Sequence, residues 1–158
     1  MTRAAEAFDE TLHQLGLGPA ELEDERLGRR AALLAASELL WERELGPLAT
    51  TSQVGELLRC SRQAIHERVQ RHTLLALPAS AGQVFPLFQF TTSGRSVPGL
   101  SRVVRELAGV VETPYTIATW LVSPERELDR RAPIQLLREG RVEPVVTAAA
   151  RYADRLRQ

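Results

Sequence analysis

At 158 residues, 44% of them hydrophobic, the chain has material for one domain of ordinary size or for two or three small modules that share cores. No apolar run approaches the ~20 residues of a membrane span, and the N-terminal MTRAAEAFDE lacks the apolar stretch of a signal peptide, so the composition predicts a cytoplasmic protein with no membrane partner. Formal net charge is zero but unevenly spread: residues 1–46 hold five Arg and ten acids, residues 47–95 five Arg and two acids, and residues 96–158 ten Arg and eight acids, which places the positive excess where a nucleic-acid contact is expected.

Residues 4–16 have the spacing of an amphipathic helix with Phe8, Leu12 and Leu15 on one side, His13 on the solvated side, and Gly16 and Gly18 as the stop. A helix of this length is marginal alone and has to dock. Pro19 starts a longer helix that runs to about Leu45 and is closed by Gly46-Pro47. Leu27, Ala31, Leu34, Trp41 and Leu45 line one stripe, widened by Leu33 and Leu40, while Glu21, Glu23, Asp24 and Glu25 sit where the helix dipole favours acids. The stripe is broad enough to pack on the protein's own core and on a second copy. Palindromic sites favour dimeric readers, so residues 1–46 are expected to form a helical arm of a homodimer; a purely intramolecular helix satisfies the same spacing.

Thr51 to Gln70 read as two short helices joined by Arg59-Cys60-Ser61, with Val54, Leu57 and Leu58 facing inward from the first and Ala64, Ile65, Arg68 and Val69 from the second. Thr51 or Ser52 is the expected cap of the first helix and Ser61 of the second. This is a helix-turn-helix in outline, a pattern that also arises from plain core packing. Its second helix presents Arg62, Gln63, His66 and Gln70, long hydrogen-bonding side chains suited to base edges in a major groove. Ser52, Arg59, Ser61, Arg71 and Arg95 are the expected phosphate contacts, so the partner is double-stranded DNA. All twenty basic residues are Arg, which suits bidentate phosphate and guanine contacts but is accounted for more by a GC-rich genome. Arg59 stands where glycine is usual in such turns, at a cost if its φ is positive. Cys60, the only cysteine, excludes a disulfide framework and is expected to be a buried structural thiol.

Next, Leu74–Leu77 and Val84–Phe90 are short, apolar and separated by Pro78, Ala79, Ser80, Ala81 and Gly82, so a β-hairpin is expected; directly after a recognition helix it is a wing, with Phe85, Phe88 and Phe90 in the core. TTSGR, residues 91–95, forms a polar loop that ends on Arg95. Residues 99–111 form a helix capped by Ser101, Thr113-Pro114 opens another, and Ser123-Pro124 and Ala132-Pro133 punctuate short segments before Gly140 and a final helix, Val142–Arg157. Val142, Val145, Val146, Ala149, Tyr152, Ala153 and Leu156 form its inner face. The fold class expected is mainly α: an arm over 1–46, a helix-turn-helix with a small β-hairpin wing over 47–95, and a helical domain over 96–158.

In the last third, Trp120-Leu121, Ser123-Pro124, Leu128, Arg131, Ala132-Pro133, Leu136-Leu137 and Gly140, followed by the Val- and Ala-rich helix, resemble the toxin-binding domain of the Xre/MbcA/ParS antitoxin family. The resemblance covers about 40% of the chain. It implies an antitoxin that represses its own operon and neutralises a RES-type toxin, an enzyme that consumes NAD. Trp120, Pro124, Leu128, Pro133 and Leu137 would then build the domain, and Arg130, Arg131, Glu139 and Arg141 would contact the toxin. The acidic arm and the wing depart from typical family members, so a stand-alone winged regulator of transcription or of the chromosome is the alternative.

Catalysis is not expected. Ser61, His66 and Glu67 on one short helix cannot form a triad with a separate oxyanion site, and His13, His66 and His72 lack metal-ligand spacing. There is no Gly-rich phosphate loop, so neither metal nor cofactor is anticipated.

Overall fold

The structure, a computed structural model, describes residues 2–16, 25–79 and 82–158, and of residues 4, 25–32, 34 and 35 it describes the backbone. It is mainly helical with one small antiparallel sheet, in two compact units, Met1–Glu38 and Leu39–Gln158. Pro19, Glu21, Glu23, Asp24, Ser80 and Ala81 lie outside the described residues, as do the side chains of Leu27, Ala31 and Leu34.

In the first unit, α1 (Arg3–Gln14) is capped by Thr2, whose side chain accepts from the Ala5 N–H. Leu12 is half-buried, while Phe8 and Leu15, expected to dock, are 53% and 68% exposed. Helix α2 (Glu25–Leu45) then continues into the second unit, where Leu45 is buried and Trp41 packs on Tyr115 at 5.5 Å between ring centres. Leu33, Leu39 and Leu40 stay exposed. The Tyr115 hydroxyl donates to Glu44, and that bond, with some burial and the neighbouring negative charge, pushes the phenol up to about 12.

The second unit is built around a three-stranded sheet in the order β1 (Leu48–Thr50), β3 (Gly82–Pro86), β2 (Leu77–Ala79). Antiparallel partners share a face, so register decides which core each residue enters. Ala49 lies opposite Phe85, and both enter a smaller core with Val54 and Ile65 of α3 (Thr51–Leu58) and α4 (Arg62–Gln70). Leu77 lies opposite Val84, and both turn to a larger core made by α5 (Leu100–Ala108), α6 (Pro114–Val122), α7 (Pro133–Arg138) and α8 (Val142–Arg157). The connector Leu74–Leu77 alternates in the same way: Leu74 and Ala76 enter the smaller core, Leu75 and Leu77 the larger.

Several sequence expectations change here. Strand β1 was not anticipated. Residues 74–76 are buried but unpaired, so β2 starts at Leu77, and β3 ends at Pro86 in a 3₁₀ turn, Leu87–Gln89. Helix α5 begins after Gly99, at φ 82°, rather than at a Ser101 cap; a Cβ on Gly99 would lie 2.5 Å from Val142 on α8, so this left-handed turn against α8 requires glycine. Leu156 is 47% exposed, not inward. Of the residues that carried the family resemblance, Trp120, Leu121, Leu128, Leu136 and Leu137 are buried and Pro133 occupies the first turn of α7, whereas Pro124, expected to build the domain, is exposed.

Gln89 is the one buried polar residue among the described residues. Its amide accepts from the Leu75 N–H at 2.9 Å and donates to the carbonyls of Leu75 at 2.9 Å and Pro86 at 3.0 Å. Gln89→Leu keeps the volume but orphans these backbone groups, so stability should fall by about 2–4 kcal/mol. Urea unfolding reads this as a lower midpoint at unchanged slope; an unmoved midpoint would contradict it.

Candidate nucleic-acid interface

Thr50 caps α3, not Thr51 or Ser52: its hydroxyl accepts from the Gln53 N–H while the Gln53 side chain accepts from the Thr50 N–H, a reciprocal capping box. This leaves Ser52 exposed in the first turn, beside free N–H groups at the positive end of the helix. Ser61 caps α4 as expected, accepting from Ala64 N–H at 3.1 Å.

The turn between them is tight. Arg59 has φ 53° and ψ 48°, left-handed backbone at a non-glycine residue. A Cβ on Gly55 would lie 3.1 Å from the Cys60 carbonyl and 3.5 Å from Ile65, so only a residue without a side chain lets the turn close on α3 without displacement. Cys60 is half-buried rather than fully buried. Inward packing comes from Val54 and Ile65, with Leu58 and Val69 partly buried; Leu57, expected inward, is 40% exposed and meets Gly94 instead.

The structure brings Ser52, Arg59, Ser61 and Arg62 around one shallow hollow, which Thr51, Gly55, Glu56 and Cys60 complete. From it, Gln63, His66 and Gln70 continue along the exposed side of α4, and Arg71 forms the C-cap. Gln63 also donates to Glu67 at 3.4 Å, one turn on. Arg95 is not part of this row. It closes the Thr91–Arg95 loop, held by the Thr91 N–H to Arg95 carbonyl bond of 2.7 Å, and that loop rests on Leu57 of α3 through Gly94.

Charge is arranged differently in the two halves of this unit. Among the described residues of Leu39–Gln158, the arginine–carboxylate ion pairs all lie within 102–157: Arg102 with Glu143, Arg131 with Glu139, Arg151 and Arg155 with Glu127, and Arg157 with Asp154. Hydrogen bonds from these arginines hold Glu143, Glu139 and Glu127 below the usual carboxylate range, whereas burial pushes Glu125 up. In residues 47–95, Arg59, Arg62, Arg71 and Arg95 are exposed and none has an acid partner among the described residues; Arg68 is half-buried and reaches the Ser96 hydroxyl at 3.4 Å.

Of the residues the resemblance implicates in toxin contact, Arg131 and Glu139 are engaged with each other, and Arg141 lies within electrostatic reach of Glu139. Arg130 is exposed on left-handed backbone at φ 58°, directly after Asp129 at φ 55°. Sequence reasoning missed Thr50, Gly55 and Arg105. The first carries a local signal, Thr50 with Gln53 three residues on. Arg105 carries none, because it meets α4 across 34 positions of sequence. Among the described residues no cluster of His, Cys, Asp and Glu is placed to hold a metal ion, and no helix is long and apolar enough to cross a membrane.

No family model matches the chain, and no curated protein does. Among solved structures it is similar to one described as "NMR structure of Rv2175c", with 24% identity and a TM-score of 0.59 over 68% of this chain and 81% of that one, a likeness that extends to the fold alone.

Left-handed backbone at Arg59 sets a stability test. Arg59→Gly relieves the Cβ clash and should raise stability by about 1 kcal/mol, whereas Ser61→Ala removes a cap and should lower it by about 1 kcal/mol. Thermal melts of both variants check the pair; a less stable Arg59→Gly would mean that the arginine side chain holds the turn.

Proposed function

We propose that this protein is a sequence-reading DNA-binding regulator of the winged helix-turn-helix type, with α3 and α4 as the helix pair, α4 as the recognition helix and the β2–β3 hairpin as the wing. The observation that supports it best is the row of exposed side chains without acid partners along α4 and its flanks, Arg59, Arg62 and Arg71 with His66 and Gln70, in a unit whose arginine–carboxylate ion pairs, among the described residues, all lie within residues 102–157. Unpaired guanidiniums beside a helix N-terminus suit phosphates, and the face between them has the length and donors to reach base edges. In this role Arg62, Gln63, His66 and Gln70 read bases, and Ser52, Arg59, Ser61, Arg71 and Arg95 hold the backbone of double-stranded DNA. A homodimer would place two such helices on a palindromic site, and the exposed Leu33 and Leu40, seven residues apart on α2, suit that arm.

Selection of a preferred sequence from random duplexes tests the reading. Once a site is known, Arg62→Ala should lose about 1–3 kcal/mol on that site and leave random DNA unaffected, while Arg71→Ala should weaken all sequences alike and flatten the salt dependence. A wild type that binds every sequence equally would sink the base-reading assignment.

A second reading, the antitoxin that neutralises a RES-type toxin, is favoured by one observation: two consecutive left-handed residues, Asp129 and Arg130, hold an unpaired arginine out from the C-terminal helices, and backbone held in such a region collects at contact sites. Co-expression with the adjacent reading frame should then give co-purification and rescue from growth arrest, and Arg130→Glu should abolish both. A neighbour that is neither toxic nor bound leaves the autonomous regulator.

A further inference from the structure

Helix α5 carries two exposed arginines one turn apart, and they are in different situations. Arg102 is neutralised by Glu143 of α8. Arg105 has no acid partner among the described residues; its Nε–H donates to the carbonyl of Arg71, the C-cap of α4, at 3.3 Å. One bond therefore uses one of its five N–H donors and fixes the root of the guanidinium fork at the end of α4, while the two terminal nitrogens stay open. The Arg71 side chain, from the same end of the same helix, is also exposed and without a partner. Capping accounts for the Nε contact, and a cation is favoured near those last carbonyls. It does not account for an Arg105 guanidinium left without an acid against the backbone of Arg71, itself an exposed arginine without an acid partner, when the neighbouring arginine of α5 is paired.

We propose that Arg71 and Arg105 form a joint phosphodiester site, so that the C-terminal helices take part in gripping duplex DNA. This rests on the reading of α4 as a DNA-facing helix. Gln70, the last base-facing position of that helix, immediately precedes Arg71, so the pair stands where the readout face ends and the sugar-phosphate backbone borders the groove. The open end of a guanidinium fork matches two phosphate oxygens.

The test uses the full chain and a random 20-base-pair duplex, with fluorescence anisotropy over a salt series, because phosphate contacts are independent of sequence. Arg105→Gln should lower the slope of log K against log salt by about 0.9, the loss of one phosphate, and Arg71→Gln should do the same. Arg105→Lys, which keeps the charge, and Arg102→Gln, which removes a charge already neutralised, should leave the slope as in wild type. In the wild-type protein the Arg105 Nε–Hε resonance, assigned by its absence from Arg105→Lys, should shift on addition of the duplex, a readout that holds even if Arg105→Gln fails to fold. An unchanged slope in Arg105→Gln beside a reduced one in Arg71→Gln, an unmoved resonance, or a slope that falls as far in Arg105→Lys as in Arg105→Gln would each overturn the pair while leaving DNA binding intact. A wild type that does not bind the duplex at low salt would instead remove the reading on which the pair rests.

Discussion

The second unit depends on a buried amide. Gln89 satisfies both backbone groups of Leu75 and the carbonyl of Pro86, and so fastens the connector after α4 to the end of β3. Those groups lie where two cores back onto each other, out of reach of water, and without Gln89 they would be orphaned at a cost comparable to a fair share of a domain's net stability. The connector needs such a clamp because it is extended yet has no strand partner over Leu74–Ala76. With the clamp in place, its alternation sends Leu74 and Ala76 under α3 and α4 and Leu75 and Leu77 into the helical bundle. The sheet is thus a partition, with Ala49 and Phe85 turned to the smaller core and Leu77 and Val84 to the larger.

Two cores sharing one partition also explain the charge distribution. In the bundle Arg102, Arg131, Arg151, Arg155 and Arg157 are neutralised by carboxylates, and such exposed pairs contribute little to stability beyond fixing side-chain positions. Around α4 the arginines have no such partners. Repulsion among them is screened at physiological salt within about 8 Å, so the fold tolerates them, but packing does not require them. The cores under α4 would be the same with glutamine at Arg59, Arg62 and Arg71, so packing leaves those side chains available for the proposed contact with DNA.

What the sequence made legible follows from range. The two helices over Thr51–Gln70 were readable because caps and apolar spacing are local, and Ser61 and Arg59 stand where that reading put them. Thr50 was displaced by one residue because three hydroxyl residues follow in a row, and only the reciprocal bond with Gln53 distinguishes them. Strand β1 was hidden because Leu48-Ala49-Thr50 is too short to show a period, and its pairing partner lies more than 30 residues away. Gln89 is a lone polar residue in an apolar run, and no local pattern reveals that it is fully buried and bonded to backbone groups 14 and three positions away. The inner face of the final helix is as expected through Ala153, while Leu156, in its last turn, is exposed.

The same partition limits how any partner of the C-terminal helices could influence α4. Arg138, at the end of α7, donates to the carbonyls of Phe88 at 2.6 Å and Phe90 at 3.4 Å, the residues on either side of Gln89. On the other side of the unit, Arg105 of α5 holds the last carbonyl of α4. The bundle therefore grips the α4 module at two points, one behind the clamp and one at the end of the proposed readout helix. A ligand on the bundle changes DNA affinity only to the extent that it distinguishes two arrangements of these grips. A partner seated over Arg130 and Arg131, near the start of α7, has a short route to one of them: α7 spans only Pro133–Arg138, and a shift of that helix moves the guanidinium bound beside Gln89. The ion pair of Arg157 with Asp154 stays within the last turn of α8 and has no comparable route, so coupling between a protein partner and the proposed DNA contact would run through α7.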